Sequence, residues 1–188
     1  MIKLLYLWVI SASILTIVVG LLYVMVQQNY RQSANDPQIQ LSEDTALLLA
    51  ESKPPSTLLP NNQVDITKSL APYVVIYDDS GKPVAGSGLL NNELPLLPSG
   101  VFSYTLAHGQ DRITWQPLPN VRSAIVVTHY NSDNPGYVMV GRSLREVESR
   151  EINLTRMLGA GWLFGLFVLA LEFVALGLAQ SFLPRHKH

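Results

Sequence analysis

Gly136-Tyr137-Val138-Met139-Val140-Gly141, followed by Arg142-Ser143-Leu144-Arg145-Glu146-Val147-Glu148 and then by an apolar run to Trp162 and beyond, decides how this chain is built. The first six residues read as a strand. Ser143 is a good N-cap and Glu146, three residues on, completes a capping box, so a helix is expected to start there. Glu146 and Arg150 stand in the favourable i,i+4 order. No proline interrupts the sequence from Ser143 until Pro184. The stretch therefore predicts a sheet whose last strand feeds one continuous helix that enters a membrane.

Working outward, the apolar residues are concentrated rather than spread. Leu4 to Val26 carries no charge, and Met157 to Leu183 carries only Glu172. These runs of roughly 23 and 27 residues exceed the ~20 needed to cross a bilayer. Residues 1–28 read as an uncleaved anchor. The apolar core is too long for a signal peptide, and no small-x-small site follows it in Met25-Val26-Gln27-Gln28. Residues 29–156 form one small domain, 157–183 a second span and 184–188 a short tail. Lys3, Arg185 and Lys187 favour a cytoplasmic side for both ends, but Arg31, Arg150 and Arg156 lie at the opposite ends of the spans. The chain of 188 residues has a formal net charge of −1, which is not that of a nucleic-acid binder. It has no cysteine.

Between the spans, Asp36-Pro37 marks a helix restart, Ile39 to Ala50 is helical in composition, and Pro54-Pro55 ends it. Leu47-Leu48-Leu49 reads as packing against a sheet. Val74-Val75-Ile76-Tyr77 is a strand, Asp78-Asp79-Ser80-Gly81 a turn, and Lys82 to Gly86 the return. Ser87 to Gly100 reads as a long loop crossing one face. Val101 to Leu106 and Arg112 to Gln116 are expected to pair as a hairpin around His108-Gly109-Gln110. Two long strands follow, Arg122 to Tyr130 and the one ending at Val140. Their continuous apolar cores suit central strands covered on both faces. The fold class is α+β, an antiparallel sheet with a long N-terminal helix, held between two transmembrane helices.

That order, with Arg31-Gln32-Ser33-Ala34-Asn35-Asp36-Pro37-Gln38, Val75-Ile76-Tyr77-Asp78-Asp79-Ser80-Gly81, Thr114-Trp115-Gln116-Pro117, Val121-Arg122-Ser123-Ala124 and Gly141-Arg142-Ser143-Leu144-Arg145-Glu146-Val147-Glu148, resembles the extracytoplasmic PAS-like (PDC or Cache-type) sensor region of bacterial membrane histidine kinases. The resemblance covers about two-thirds of the chain. It implies a PAS-like domain outside a bacterial cytoplasmic membrane, with both termini cytoplasmic. Only Pro184-Arg185-His186-Lys187-His188 follows the second span, with no phosphate loop, so kinase activity does not carry over. The expectation is a sensor-like accessory without an output domain, acting through a partner membrane kinase or transporter, or as a homodimer. A structural or assembly component of the envelope is the alternative.

Candidate chemistry is sparse. His108 and His129 lack ligand spacing, no paired Cys or nucleophile motif occurs, and neither a metal, a cofactor nor an enzyme activity is expected. A small-molecule site, if the domain has one, is expected between the sheet and the Ser87 to Gly100 segment. Tyr104 and Trp115 would pack on the ligand there, and Arg122 would hold a carboxylate. In the second span Glu172 is costly, and Ser11, Ser13 and Thr16 are the polar groups the first span offers it. Gly161 and Gly165 permit close helix packing. Leu144, Val147, Leu154 and Leu158 suggest a contact with a second copy or a partner helix.

Overall fold

The computed structural model describes residues 2–33, 36–60 and 62–182. In chain order the elements are α1 (Ile2–Ser33), α2 (Asp36–Ala50), α3 (Pro55–Leu58), β1 (Val64–Asp65), β2 (Tyr73–Asp78), β3 (Pro83–Gly86), β4 (Gly88–Leu89), α4 (Ser99–His108), β5 (Gln110–Leu118), β6 (Val121–Tyr130), β7 (Gly136–Ser143) and α5 (Arg145–Phe182). The chain divides into two compact units: Arg31–Glu148, and α1 through Tyr30 together with α5 from Ser149 onward. The tail expected at 184–188 lies outside the described residues.

In the first unit five antiparallel strands run in the order β3-β2-β7-β6-β5. β7 is central, paired with β2 from Tyr73↔Gly141 to Asp78↔Gly136 and with β6 from Ser123↔Ser143 to Tyr130↔Gly136. The continuous apolar runs of β2, β6 and β7 have this cause: Val74, Val75, Ile76, Ile125, Val126, Val127, Val138, Met139 and Val140 are all buried, because both faces are covered. One face packs on α2 through Ala46 and Leu49, against Val74, Ile76, Val138 and Val140. The stripe that α2 presents is partly polar. Gln38, Ser42 and Thr45 are buried with Ala46 and Leu49, and Ser42 Oγ meets Thr128 Oγ1 of β6 at 2.9 Å. Of the leucine triplet expected on the sheet, Leu49 packs there while Leu47 is exposed. A helix turns by ~100° per residue and cannot present three successive side chains to one face.

The other face carries a larger core of Tyr73, Val75, Tyr77, Trp115, Ile125, Val127, Tyr137 and Met139, with Leu97 and Phe102 laid over it. Here the structure corrects two expectations. Val101 to Leu106 is not a strand but lies within α4, bounded by Pro98 and by Gly109 at φ 81. Phe102 and Thr105, three residues apart, face the sheet. The Ser87 to Gly100 segment is also partly ordered. It begins in β4, which pairs in parallel with β1, and Leu90-Asn91-Asn92-Glu93 closes a two-residue turn with reciprocal backbone bonds of 2.8 and 3.1 Å. Asn91 and Asn92 have φ of 53 and 65, the left-handed pair that such a turn requires.

In the second unit, α1 and α5 are long and apolar enough to cross a membrane. They run antiparallel. Gln27 Nε2 donates to Glu151 Oε1, Trp162 Nε1 donates to Thr16 Oγ1 at 3.0 Å, Leu15 packs on Gly165, and the Trp8 and Phe173 rings lie 6.5 Å apart. Large apolar side chains such as Leu5, Ile10, Ile17, Leu163, Phe167 and Leu171 point away from the pair and are exposed. Apolar surface of this extent suits a lipid environment.

Candidate functional site

The space expected to hold a ligand, between the sheet and the Ser87 to Gly100 segment, is occupied by the protein's own side chains. Tyr77 Oη donates to Pro95 O at 2.8 Å and anchors the segment on β2. Phe102 sits between the Tyr77 and Tyr137 rings, with centroids at 5.1 and 4.9 Å. Burial pushes the Tyr77 hydroxyl well above its ordinary value, so it remains a donor across the physiological range.

Tyr104, Trp115 and Arg122 are not brought together. Trp115 is a core residue of β5. Tyr104 is exposed on α4, where its ring stacks on His108 at 4.1 Å and its carbonyl lies 3.0 Å from His108 Nδ1. In a strand Tyr104 would share a face with Phe102; in a helix two residues are about 200° apart, which turns it outward. Arg122, at the start of β6, pairs through Nη1 with Glu148 Oε1. His129 packs edge-on against Tyr137.

The Arg122 pair belongs to a set of links that fastens the first turn of α5 to the sheet. Leu144 N donates to Arg122 O at 2.9 Å. Arg145 Nη2 donates to Thr67 O at 3.0 Å, and its N–H reaches Ser143 Oγ at 3.3 Å. Arg142 Nη2 lies 3.7 Å from Glu146 Oε2. Single exposed ion pairs contribute little, about 0–1 kcal/mol. Together with the backbone bond, however, they fix where the helix begins.

Thr67 connects this junction to a polar groove of about 380 Å³ beside β1 and β4, lined by Gln63, Asp65, Thr67, Lys68, Asn91 and Asn92. Asp65 Oδ1 accepts from Thr67 N and Oγ1 at 2.9 and 2.6 Å, and these bonds hold its carboxyl below the usual range. This groove is not among the sites expected from the sequence. Its signals were Asp65-x-Thr67, an Asx-type turn, and the Asn91-Asn92 pair between two apolar positions.

Among the residues singled out in the spans, Gly165 packs against α1: a Cβ there would lie 2.8 Å from Leu15 Cδ2. Gly161 has nothing within 4 Å of the same position. Glu172 lines a small recess on the helix pair together with Trp8 and Ser11. Leu154 and Leu158 are half-buried on the α5 stripe that also contains Glu151, Trp162 and Gly165, and those three residues meet α1. No protein-family model matches this chain, and no curated protein matches it either.

Proposed function

We propose that the chain is a membrane-anchored sensor-like protein of a bacterial cytoplasmic membrane. In this reading the Arg31–Glu148 unit is an extracytoplasmic PAS-like domain, both termini are cytoplasmic, and a state of the domain is passed to a partner membrane protein through α1 and α5. The observation that carries it is the junction at Leu144–Glu148. The helix that continues as the apolar α5 starts on the central strand of the sheet and is held there by Arg122, Arg142 and Arg145. A change at the Thr67 wall of the polar groove has a direct route to α5 through Arg145.

A second reading, an envelope assembly component that uses the domain for protein–protein contact, is favoured by a different observation. The face beneath the crossing segment is filled by Tyr77, Phe102, Tyr137 and Leu97 rather than open to a ligand. Full-length protein in nanodiscs, screened by thermal shift against a small-molecule library, separates the two. Sensing predicts a stabilising compound whose effect is lost in Asp65→Ala and Asn92→Ala and which alters disulfide crosslinking between Cys variants of Gln27 and Glu151. A library that yields no such compound favours the assembly role.

A further inference from the structure

Where α1 and α5 run side by side, a recess of about 100 Å³ opens on their surface, lined by Leu7, Trp8, Ser11, Glu172, Phe173 and Leu176. Small-molecule pockets are usually ~300–1,000 Å³, so the volume suits the head of one side chain rather than a free ligand. Its polar groups are unmatched. Trp8 Nε1 is buried with no hydrogen-bond acceptor. Glu172 is exposed, and none of the described residues lining the recess is basic. Ionisable groups at bilayer depth pair with one another or line a polar path, because the unpaired state is costly.

The surface beside the recess lets another backbone come close. At about 100° per residue, Glu172 and Ala179 fall within about 20° of Gly161 on the α5 surface, with Ala175 about 40° away. Ala175 and Ala179 are exposed, and Gly161 has nothing within 4 Å. Small residues on one helix face allow tight packing of a second helix.

We propose that this recess receives a lysine or arginine from a transmembrane helix of the partner protein. The carboxylate of Glu172 pairs with that cation and accepts from Trp8 Nε1, while the Ser11 hydroxyl accepts from the cation. A second copy of the chain is a poorer occupant. It would set Glu172 against Glu172, and the apolar runs Leu4 to Val26 and Met157 to Leu183 contain no basic residue. The inference rests on the reading of the chain as a membrane protein that works through a partner, and it names the chemistry of that partner.

The test uses the full chain in phosphatidylcholine nanodiscs and synthetic transmembrane peptides of about 20 Leu and Ala residues carrying one central Lys, Leu or Glu. Association is read by energy transfer. The Lys peptide should bind wild type about tenfold more tightly than the Leu peptide, the scale of one or two buried intramembrane polar contacts. Glu172→Gln should lose most of that preference, and Glu172→Lys should transfer it to the Glu peptide. Gly161→Leu, which keeps the acid, should weaken binding by obstructing approach. Circular dichroism of each variant checks that the helices remain. Equal binding of Lys and Leu peptides to wild type overturns the proposal. So does Glu172-dependent energy transfer between two labelled copies without peptide, which would assign the face to self-association. If a compound alters the Gln27–Glu151 crosslink while the peptides go undiscriminated, this inference alone has failed. If the peptides discriminate and no compound acts, the sensing reading has failed instead.

Discussion

Gly141→Ala tests whether the sheet is gripped where β7 leads into α5. Gly141 lies on β7 opposite Tyr73 of β2. A Cβ at Gly141 would lie 2.4 Å from Tyr73 Cζ, 2.5 Å from Oη and 2.7 Å from Cε2. Favourable carbon contacts are about 3.5–4.0 Å, so the tip of the ring must move by roughly 1 Å. It has little freedom to do so. The ring is 1 % exposed, and its base is equally tight against Gly88, where a Cβ would lie 2.5 Å from Tyr73 Cδ2. Overpacking of this kind costs about 1–3 kcal/mol, and the near-rigid surroundings place it at the upper end. Removing a glycine from a strand returns about 0.5–1 kcal/mol, leaving a net loss of about 2 kcal/mol. For a unit of this size that lowers Tm by about 6–12 °C. Thermal unfolding of the full-length protein in detergent, followed by circular dichroism, reads it directly. Gly100→Ala is the control, because its Cβ would meet nothing within 4 Å. Shortening the ring in Tyr73→Leu should remove most of the Gly141→Ala penalty. If Gly141→Ala is no more harmful than Gly100→Ala, the grip described at Tyr73 is wrong.

Burial pushes the Tyr73 hydroxyl up to about 12 and shifts Tyr77 in the same direction. Because the folded value lies above the unfolded one, stability is intact below pH 10 and falls as the pH rises toward 12. Tyr73 alone accounts for about 2–3 kcal/mol of that fall, and Tyr73→Phe should flatten the alkaline limb of a stability–pH curve. Phe102→Ala should cost about 3–5 kcal/mol, since it empties the site between Tyr77 and Tyr137; a loss below 1 kcal/mol would mean that α4 is not seated as described. A double-mutant cycle on Arg122→Ala and Glu148→Ala should give a coupling of about 0.2–1 kcal/mol, as both side chains are more than a third exposed. For topology, Cys variants of Ser56 and Asn131, both exposed, should label with an impermeant maleimide in intact spheroplasts, and protection of both until lysis would reverse the orientation.

The parts legible in the sequence were those governed by local composition. Apolar runs of more than about 20 residues, the first uncharged and the second carrying only Glu172, identify the two apolar helices without tertiary information. Val74-Val75-Ile76-Tyr77, Ile125-Val126-Val127 and Val138-Met139-Val140 announce strands covered on both faces because nothing polar interrupts them. What only the tertiary structure decided depended on which of two periods a segment would follow. Val101-Phe102-Ser103-Tyr104-Thr105 has strand composition, but Phe102 and Thr105 reach the aromatic face of the sheet together only at helical spacing. Tertiary burial overrode intrinsic propensity there. That one change turned Tyr104 to the surface, while Trp115 is buried in the core and Arg122 pairs with Glu148. The groove beside β1 and β4 was hidden for a related reason. Val64-Asp65 and Gly88-Leu89 are too short to show a period, and only their pairing across the chain makes them strands. Glu172 was conspicuous in the sequence as an acid in an apolar run. Trp8 and Ser11 became its neighbours only because α1 and α5 pack antiparallel, a relation set by contacts between distant residues that neither helix encodes alone.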